Sequence, residues 1–318
     1  MARFVKRVLL FVAIQLVVLG YVVWAGRISD DTYYSAMEDK IARLESIEGP
    51  RVIILGGSNA VFGIDSQRVA RGLAGEPVNV ALHAGVGYGV YLELVEAHVR
   101  AGDTVVFIPE YELVSGVASE TIQAEMLASC PSVRPYLRPD ESRWRHWKAL
   151  LDHESLQLVH TWTHNAFRRR RSENGVYYRG SFNEFGDMVG HYGLPAPEKE
   201  SFGPIRITDE ELTAFLDRVN RFCDRCESAG ATVCFSFAPI DEERFEQSRE
   251  TLASLESTLR SGLHAEIIDT PSENVFSRDE FFDSYYHLTE VAARRRSDRL
   301  NVALVGRVAM KPTEQVRR

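Results

Sequence analysis

Short runs of aliphatic and β-branched residues alternate with helical stretches along much of this 318-residue chain. The apolar runs cover residues 51–57, 77–82, 104–108, 231–237 and 265–269. In the second half, helical spacing predicts helices over about 209–229, 241–260 and 289–307. Strands that crossover helices cover on both faces have continuous apolar sequences, as these runs do. The alternation therefore predicts an α/β fold built on a three-layer, doubly wound parallel sheet.

The overall composition is that of a globular protein. Hydrophobic residues make up 45% of the chain and charged residues 26%, which is enough apolar material for a substantial core and excludes intrinsic disorder. The formal net charge is −8 and the isoelectric point about 5.7, so the chain offers no basic surface for a nucleic acid. We therefore expect no nucleic-acid partner.

The four cysteines do not have the spacing of a zinc site. Cys223 and Cys226 form a single Cys-x-x-Cys pair, with no second pair or suitably spaced histidines nearby. We expect neither a metal nor a cofactor. In an oxidising compartment Cys223 can pair with Cys226 or with Cys234, although Cys234, on a predicted strand, is typical of a small apolar core residue.

The amino terminus has the pattern of a membrane-targeting segment. Residues 8–26 carry no charge and follow Arg3, Lys6 and Arg7. At about 1.5 Å per residue this stretch reaches about 28 Å, close to the thickness of a hydrocarbon core. It is either a single anchor with a cytoplasmic amino terminus or a signal peptide cleaved after Val23-Trp24-Ala25. Both readings predict that the rest of the chain is exported.

The remaining chain divides into three parts. Residues 27–50, after the segment at 1–26, are polar with helical spacing and predict a stalk or linker helix. An α/β domain follows over 51–318, and an insertion at about 111–207 interrupts its alternation of strands and helices. This insertion contains Arg168-Arg169-Arg170-Arg171, which is either a solvated helix end or a contact for an anionic lipid or polymer.

The glycine-rich segment after the first apolar run is the strongest candidate for a catalytic site. Gly56 and Gly57 permit a sharp turn, and Ser58 then lies at the start of a helix. The positive end of a helix dipole favours a developing anion there. Ser58 is therefore either a nucleophile or a helix N-cap.

A second segment near the carboxyl terminus supplies a base and an acid. Asp283 and His287 lie in a loop after the last predicted strand of the sheet. Loops that follow parallel strands converge at one rim of the sheet, so we expect His287 to meet Ser58. A serine nucleophile needs a general base, and the base needs an acid to fix its tautomer. Ser58, His287 and Asp283 are the predicted catalytic residues.

These segments resemble the SGNH/GDSL hydrolase superfamily, in particular a membrane-anchored branch similar to proteins that acylate or deacylate extracellular polysaccharides and teichoic acids. Residues 56–59 with 62–65 resemble its nucleophile block, residues 79–85 its second block, and residues 283–288 its last block. The resemblance implies an oxyanion hole formed by the backbone N–H groups of Ser58 and Gly85.

The chain departs from the pattern of that family at two places. The usual spacing is Asp-x-x-His, whereas Asp283 lies one residue earlier, so Asp269 and Asp279 are alternative acids. The third block, normally Gly-x-Asn, is replaced by Pro109-Glu110-Tyr111-Glu112.

Other side chains can complete the site in place of the missing amide. Asn183, in the insertion, either supplies an amide or forms a turn, and Asn59 is a second candidate for a substrate or oxyanion contact. Glu110 and Tyr111 either line the site or lie at the surface.

The predicted function is that of an extracytoplasmic serine esterase or O-acyltransferase that acts on acyl groups, acetyl above all, of cell-envelope polysaccharide. The acyl-enzyme passes its acyl group to water or to a sugar hydroxyl. The alternative is a non-catalytic scaffold that works with membrane proteins of polysaccharide assembly. Nucleotide binding at 55–59 is disfavoured, because both common phosphate-binding glycine patterns are absent.

Overall fold

The computed structural model describes residues 2–25, 31–116, 118–137, 175–197 and 203–308. Its strands are β1 (Arg51–Gly56), β2 (Glu76–Asn79), β3 (Thr104–Ile108), β4 (Thr232–Phe235), β5 (Ile240–Asp241), β6 (Glu266–Ile267) and β7 (Val275–Phe276). Five of these form one parallel sheet in the order β2-β1-β3-β4-β6, and β5 pairs with β7. The prediction of an α/β fold with a mainly parallel sheet is confirmed.

Helices precede, connect and follow these strands. They are α1 (Ala2–Ala25), α2 (Ala36–Ser46), α3 (Ser58–Phe62), α4 (Ser66–Val69), α5 (Tyr88–His98), α6 (Glu120–Ser129), α7 (Asp209–Ser228), α8 (Glu242–Gln247), α9 (Arg249–Gly262) and α10 (Glu290–Val308). The helix predicted over 241–260 is divided into α8 and α9 at Ser248. The other two helices predicted in this half agree with α7 and α10 to within two residues.

The strand order places a crevice at the carboxyl ends of β1 and β3. From β1 the chain crosses to β2 on one side and then returns to β3 on the other side. The loops after β1 and β3 therefore separate at this point, where ligands bind in open α/β sheets. Gly56 is paired with Ile108 in the register, so both strands end at the same level. Ser58 and Glu110 follow these two ends.

Helix α2 belongs to the α/β domain and is not the predicted stalk at 27–50. Its buried residues include Met37, Ile41 and Leu44, which pack into the same core as the central strands. The buried Lys40 donates hydrogen bonds to the carbonyls of Asn79 and Gly186. The apolar spacing in this segment therefore reflects burial against the domain.

The described carboxyl-terminal part of the insertion packs against the start of the domain. The N–H of Met188 donates to the carbonyl of Val61 (3.0 Å), and the N–H of Asn79 donates to the carbonyl of Phe185 (2.8 Å). We call residues 181–191 the strap, because they cross α3 and the end of β2. The arginine run at 168–171 lies outside the described residues, so its role stays a prediction.

Among the described residues, no helix has the combination of length and apolar character required of a membrane span. The anchor at residues 8–26 stays a prediction from the sequence.

All four cysteines are buried, and no disulfide joins them. None of the pairings considered for Cys223, with Cys226 or with Cys234, is formed. Within the described ranges, no group of three or more His, Cys, Asp and Glu side chains is arranged to hold a metal ion.

A buried ion pair fixes the beginning of β1 to the turn before β3. Arg51 and Asp103 are 1% and 0% exposed and lie 2.5 Å apart. Arg51 also donates to the carbonyls of Leu44 (2.7 Å) and His98 (2.6 Å), so every nitrogen of its guanidinium group has a hydrogen-bond partner. Removing one partner of such a pair leaves an uncompensated buried charge.

We therefore expect Asp103→Asn to lower the free energy of unfolding by about 3 to 5 kcal/mol. Chemical denaturation followed by circular dichroism measures this change. Glu246→Gln, which breaks the exposed pair with Arg249, is the matched control and should leave the midpoint unchanged. Equal midpoints for the two variants would contradict a structural role for the buried pair.

Candidate active site

Ser58 begins the short helix α3 directly after the Gly56-Gly57 turn. Its Oγ donates a hydrogen bond of 2.8 Å to Oε1 of Glu110, and the same oxygen accepts the N–H of Asn59 at 2.9 Å. A Cβ on Gly57 would lie 2.7 Å from Glu110 Oε1, which explains why glycine precedes the serine. Glu110 is therefore the hydrogen-bond partner of Ser58 in this structure.

Glu110 is a buried carboxyl group with an altered affinity for protons. It is 4% exposed and follows the carboxyl end of β3. Burial raises the pKa of Glu110 to about 7, against the hydrogen bonds from Asn59 and Ser58, which lower it. The nearby Glu112 adds to the increase. Glu110 therefore lies beside Ser58, and not at the surface.

Asp283 and His287 form a hydrogen-bonded pair. His287 Nδ1 lies 2.7 Å from Asp283 Oδ1. The longer spacing between them is taken up by a turn, which is closed by the N–H of Phe282 donating to the carbonyl of His287 and by a bridge between Phe281 and Leu288. Burial raises the pKa of Asp283, but the hydrogen bond and charge of His287 outweigh it and hold that pKa below its ordinary value.

The His287 ring packs against the helix that begins at Ser58. It stacks on Phe62 with ring centroids 3.8 Å apart and planes inclined by 8°. Ser58 and Phe62 are four residues apart in α3, so they lie on the same face of the helix. The structure thus brings all three predicted catalytic residues into one region. Among the described residues, however, no hydrogen bond joins Ser58 to His287.

Tyr177, from the insertion, completes the surroundings of the acid. Its hydroxyl donates to Asp283 Oδ2 at 2.5 Å and lies 3.3 Å from His287 Nδ1. The Tyr177 side chain is 47% exposed, so it forms part of the outer wall of the site. A carboxylate only accepts hydrogen bonds, so the proton shared by Asp283 and His287 belongs to Nδ1. In the neutral imidazole, Nε2 is then the basic nitrogen.

The N–H of Gly85, expected in an oxyanion hole, has another hydrogen-bond partner in the structure. Its N–H donates to Nδ1 of His83 at 2.9 Å, so this donor is already used. Because Nδ1 accepts, the neutral imidazole of His83 carries its proton on Nε2. Burial lowers the pKa of His83, and the nearby His287 lowers it further.

The two candidate asparagines hold the backbone instead of facing a substrate. Asn59 is fully buried, and its Nδ2 donates to the carbonyl of Ile108 at 3.2 Å. Asn183 Oδ1 accepts the N–H groups of Phe185 (3.0 Å) and Asp187 (2.9 Å), which is the turn-forming alternative. Among the described residues, neither side-chain amide forms a hydrogen bond with Ser58.

Asp283, not Asp269 or Asp279, is the acid that reaches His287. Asp269 is bound by Ser236 Oγ at 2.6 Å and by the N–H of Phe237 at 2.9 Å. Asp279 lies in a short 3₁₀ helix, Arg278–Glu280, before the His287 turn.

Sequence reasoning missed the aromatic surroundings of His287. Phe62 and Tyr177 lie against its ring, with centroids at 3.8 and 6.3 Å, and His191 packs in turn on Phe62, with centroids 5.0 Å apart. The sequence did contain an indication for Phe62, because a residue four positions after Ser58 lies on the same face of a helix. Tyr177 and His191 come from the insertion, which has no periodic pattern.

His191 gives a test of these surroundings. Burial lowers the pKa of His191 to about 4 from an ordinary 6.5. An unfolded chain binds the proton first as the pH falls, so this site removes stability between pH 6.5 and about 4. As the pH falls through this window, we expect the unfolding constant of the wild type to rise up to about 10²-fold more than that of His191→Gln, which has no imidazole to protonate. Chemical denaturation at several pH values measures it, and parallel pH curves for the two proteins would contradict it.

Comparisons with known proteins are sparse. No protein-family model and no curated protein matches the chain. Among solved structures, the protein YxiM from Bacillus subtilis is similar over 82% of this chain and 58% of its own, with 10% identity and a TM-score of 0.37. The chain thus spans less than two thirds of that protein. A likeness at this level does not assign a function.

Proposed function

We propose that the protein is a serine-dependent acyl-transfer enzyme, an esterase or an O-acyltransferase. The observation that carries this proposal is the hydrogen-bonded pair of Asp283 and His287, stacked on the helix that begins at Ser58. A base oriented by an acid beside a serine is the arrangement that activates a hydroxyl for attack on a carbonyl carbon.

In the proposed mechanism, Ser58 Oγ turns from Glu110 toward His287 and attacks the acyl carbon. His287 Nε2 takes the hydroxyl proton, because Nδ1 is held by Asp283. The developing imidazolium is stabilised by the Asp283 carboxylate, whose pKa is held below its ordinary value. His287 then returns the proton to the departing alcohol, and the acyl-enzyme is resolved by water or by another hydroxyl.

The fold supports the same proposal. Ser58 and Glu110 lie at the crevice between β1 and β3, where open α/β sheets bind ligands. We propose that this sheet, together with the segments around Ser58, Asn79 and His287, is of the SGNH/GDSL type. A substrate among acylated cell-envelope polysaccharides is part of this proposal, and export of the domain stays a prediction from the sequence.

Two hydrogen bonds favour a second candidate, a non-catalytic scaffold. The Ser58 hydroxyl is bound to Glu110 and not to His287, and the predicted oxyanion N–H of Gly85 is bound to His83. A site without an activated serine would have this appearance. The scaffold reading therefore predicts no covalent reaction at Ser58.

Labelling with a fluorophosphonate decides between the two candidates, because this probe reacts with activated serines and needs no natural substrate. We expect the full-length wild type to be labelled, Ser58→Ala to be unlabelled, and His287→Ala to react about 10²- to 10⁴-fold more slowly.

The surface pair of His264 and Asp224 provides a matched control. It has the same 2.7 Å distance as the pair in the site but is exposed. His264→Ala should label at the wild-type rate. Wild-type protein that is folded by circular dichroism and yet unlabelled would replace the enzyme proposal with the scaffold.

A further inference from the structure

The mechanism proposed for Ser58, His287 and Asp283 gives no role to the buried Glu110. Its Oε1 accepts both the hydroxyl of Ser58 and the N–H of Asn59. The backbone N–H of Ser58 also interacts with this carboxyl group and acts to lower its pKa. Oε1 is thus fixed beside the nucleophile, and the hydrogen bonds from the Ser58 hydroxyl and the Asn59 N–H do not use Oε2.

The surroundings of Glu110 favour its neutral form. Burial is the largest cause of its raised pKa, and the charge of Glu112, on the same segment, acts in the same direction. Glu112 is itself paired with Arg244. The titratable side chains that interact with Glu110 from the other packed elements are the tyrosines Tyr33, Tyr91, Tyr285 and Tyr286.

The chemistry at Ser58 requires that neutral form. Attack on an acyl carbon places a negative oxygen next to Ser58, and an ionised Glu110 there would repel it. A carboxylate would also hold the serine hydroxyl strongly, because hydrogen bonds to charged acceptors are about twice as strong as neutral ones. A protonated carboxyl group removes both obstacles and adds a donor.

We propose that Glu110, as a neutral carboxylic acid, is a catalytic residue that donates a hydrogen bond from Oε2 to the oxyanion formed at Ser58. This inference rests on the proposed function. It gives the site a side-chain donor that neither Asn59 nor Asn183 supplies.

The step balances without a further reactant. Ser58 Oγ forms a bond to the acyl carbon, its proton moves to His287, and the carbonyl π electrons move to the oxygen that Glu110 stabilises. As these electrons return, the bond to the leaving alkoxide breaks and His287 protonates it. Glu110 keeps its proton throughout.

The experiment compares fluorophosphonate labelling of full-length wild type and Glu110→Gln from about pH 5 to about pH 9. The amide of glutamine has the shape of the acid and donates at every pH. Above the Glu110 pKa, we expect the wild-type rate to fall by about tenfold per pH unit and the Glu110→Gln rate not to fall. Glu110→Ala, which has no donor, should react about 10²- to 10³-fold more slowly than Glu110→Gln.

A further variant tests whether the titration of Glu110 causes the fall in labelling rate at alkaline pH. Glu112→Gln removes the neighbouring negative charge and should move the fall in rate to lower pH, without abolishing labelling. If the labelling rate of Glu112→Gln falls at the same pH as that of the wild type, a group other than Glu110 causes the fall.

Two further outcomes would overturn this inference alone. If Glu110→Gln is unlabelled while the wild type reacts, Glu110 accepts the Ser58 proton and is the base. If Glu110→Ala reacts faster than the wild type, the carboxyl group blocks the site. An unreactive wild type at every pH would overturn the proposed function, and this inference with it.

Discussion

The parallel pairing of β1 with β3 is the constraint on which the candidate site depends. Its register sets Gly56 opposite Ile108, so the two chains leave the sheet side by side. The Ile108 carbonyl occupies the place of a Gly56 Cβ and also accepts the Asn59 amide. Only glycine allows this approach, and without it Glu110 would not reach Ser58.

The two carboxyl groups of the site are driven toward opposite protonation states. Asp283 receives hydrogen bonds from His287 and Tyr177, which favour its ionised form. Glu110 is buried beside another carboxylate, which favours its neutral form. Such a separation of pKa values is how one site holds both a charged and an uncharged acid near neutral pH. The division follows from the surroundings of each group, not from its chemical type.

The parts of the site predicted from the sequence are those that follow from strand order. Ser58 and His287 come after sheet strands, and such loops converge whatever their sequence. The use of the Gly85 N–H by His83 was not predictable, because it depends on a side-chain rotamer. Tyr177 was missed because it belongs to the insertion, where neither periodicity nor turn residues indicate what it contacts. The sequence did not decide whether Glu110 lines the site or lies at the surface, because burial at the end of a strand depends on the neighbouring elements.

The position of Ser58 also depends on contacts far from it in sequence. Helix α3 has only five residues, too few to be stable by its own hydrogen bonds. The strap (181–191) compensates, because the Met188 N–H binds the Val61 carbonyl of α3. Asp187, also in the strap, accepts hydrogen bonds from Asn79 Nδ2 (2.8 Å) and from Ser66, at the start of α4. The insertion is therefore needed to hold the nucleophile in place, as well as to supply the tyrosine beside Asp283.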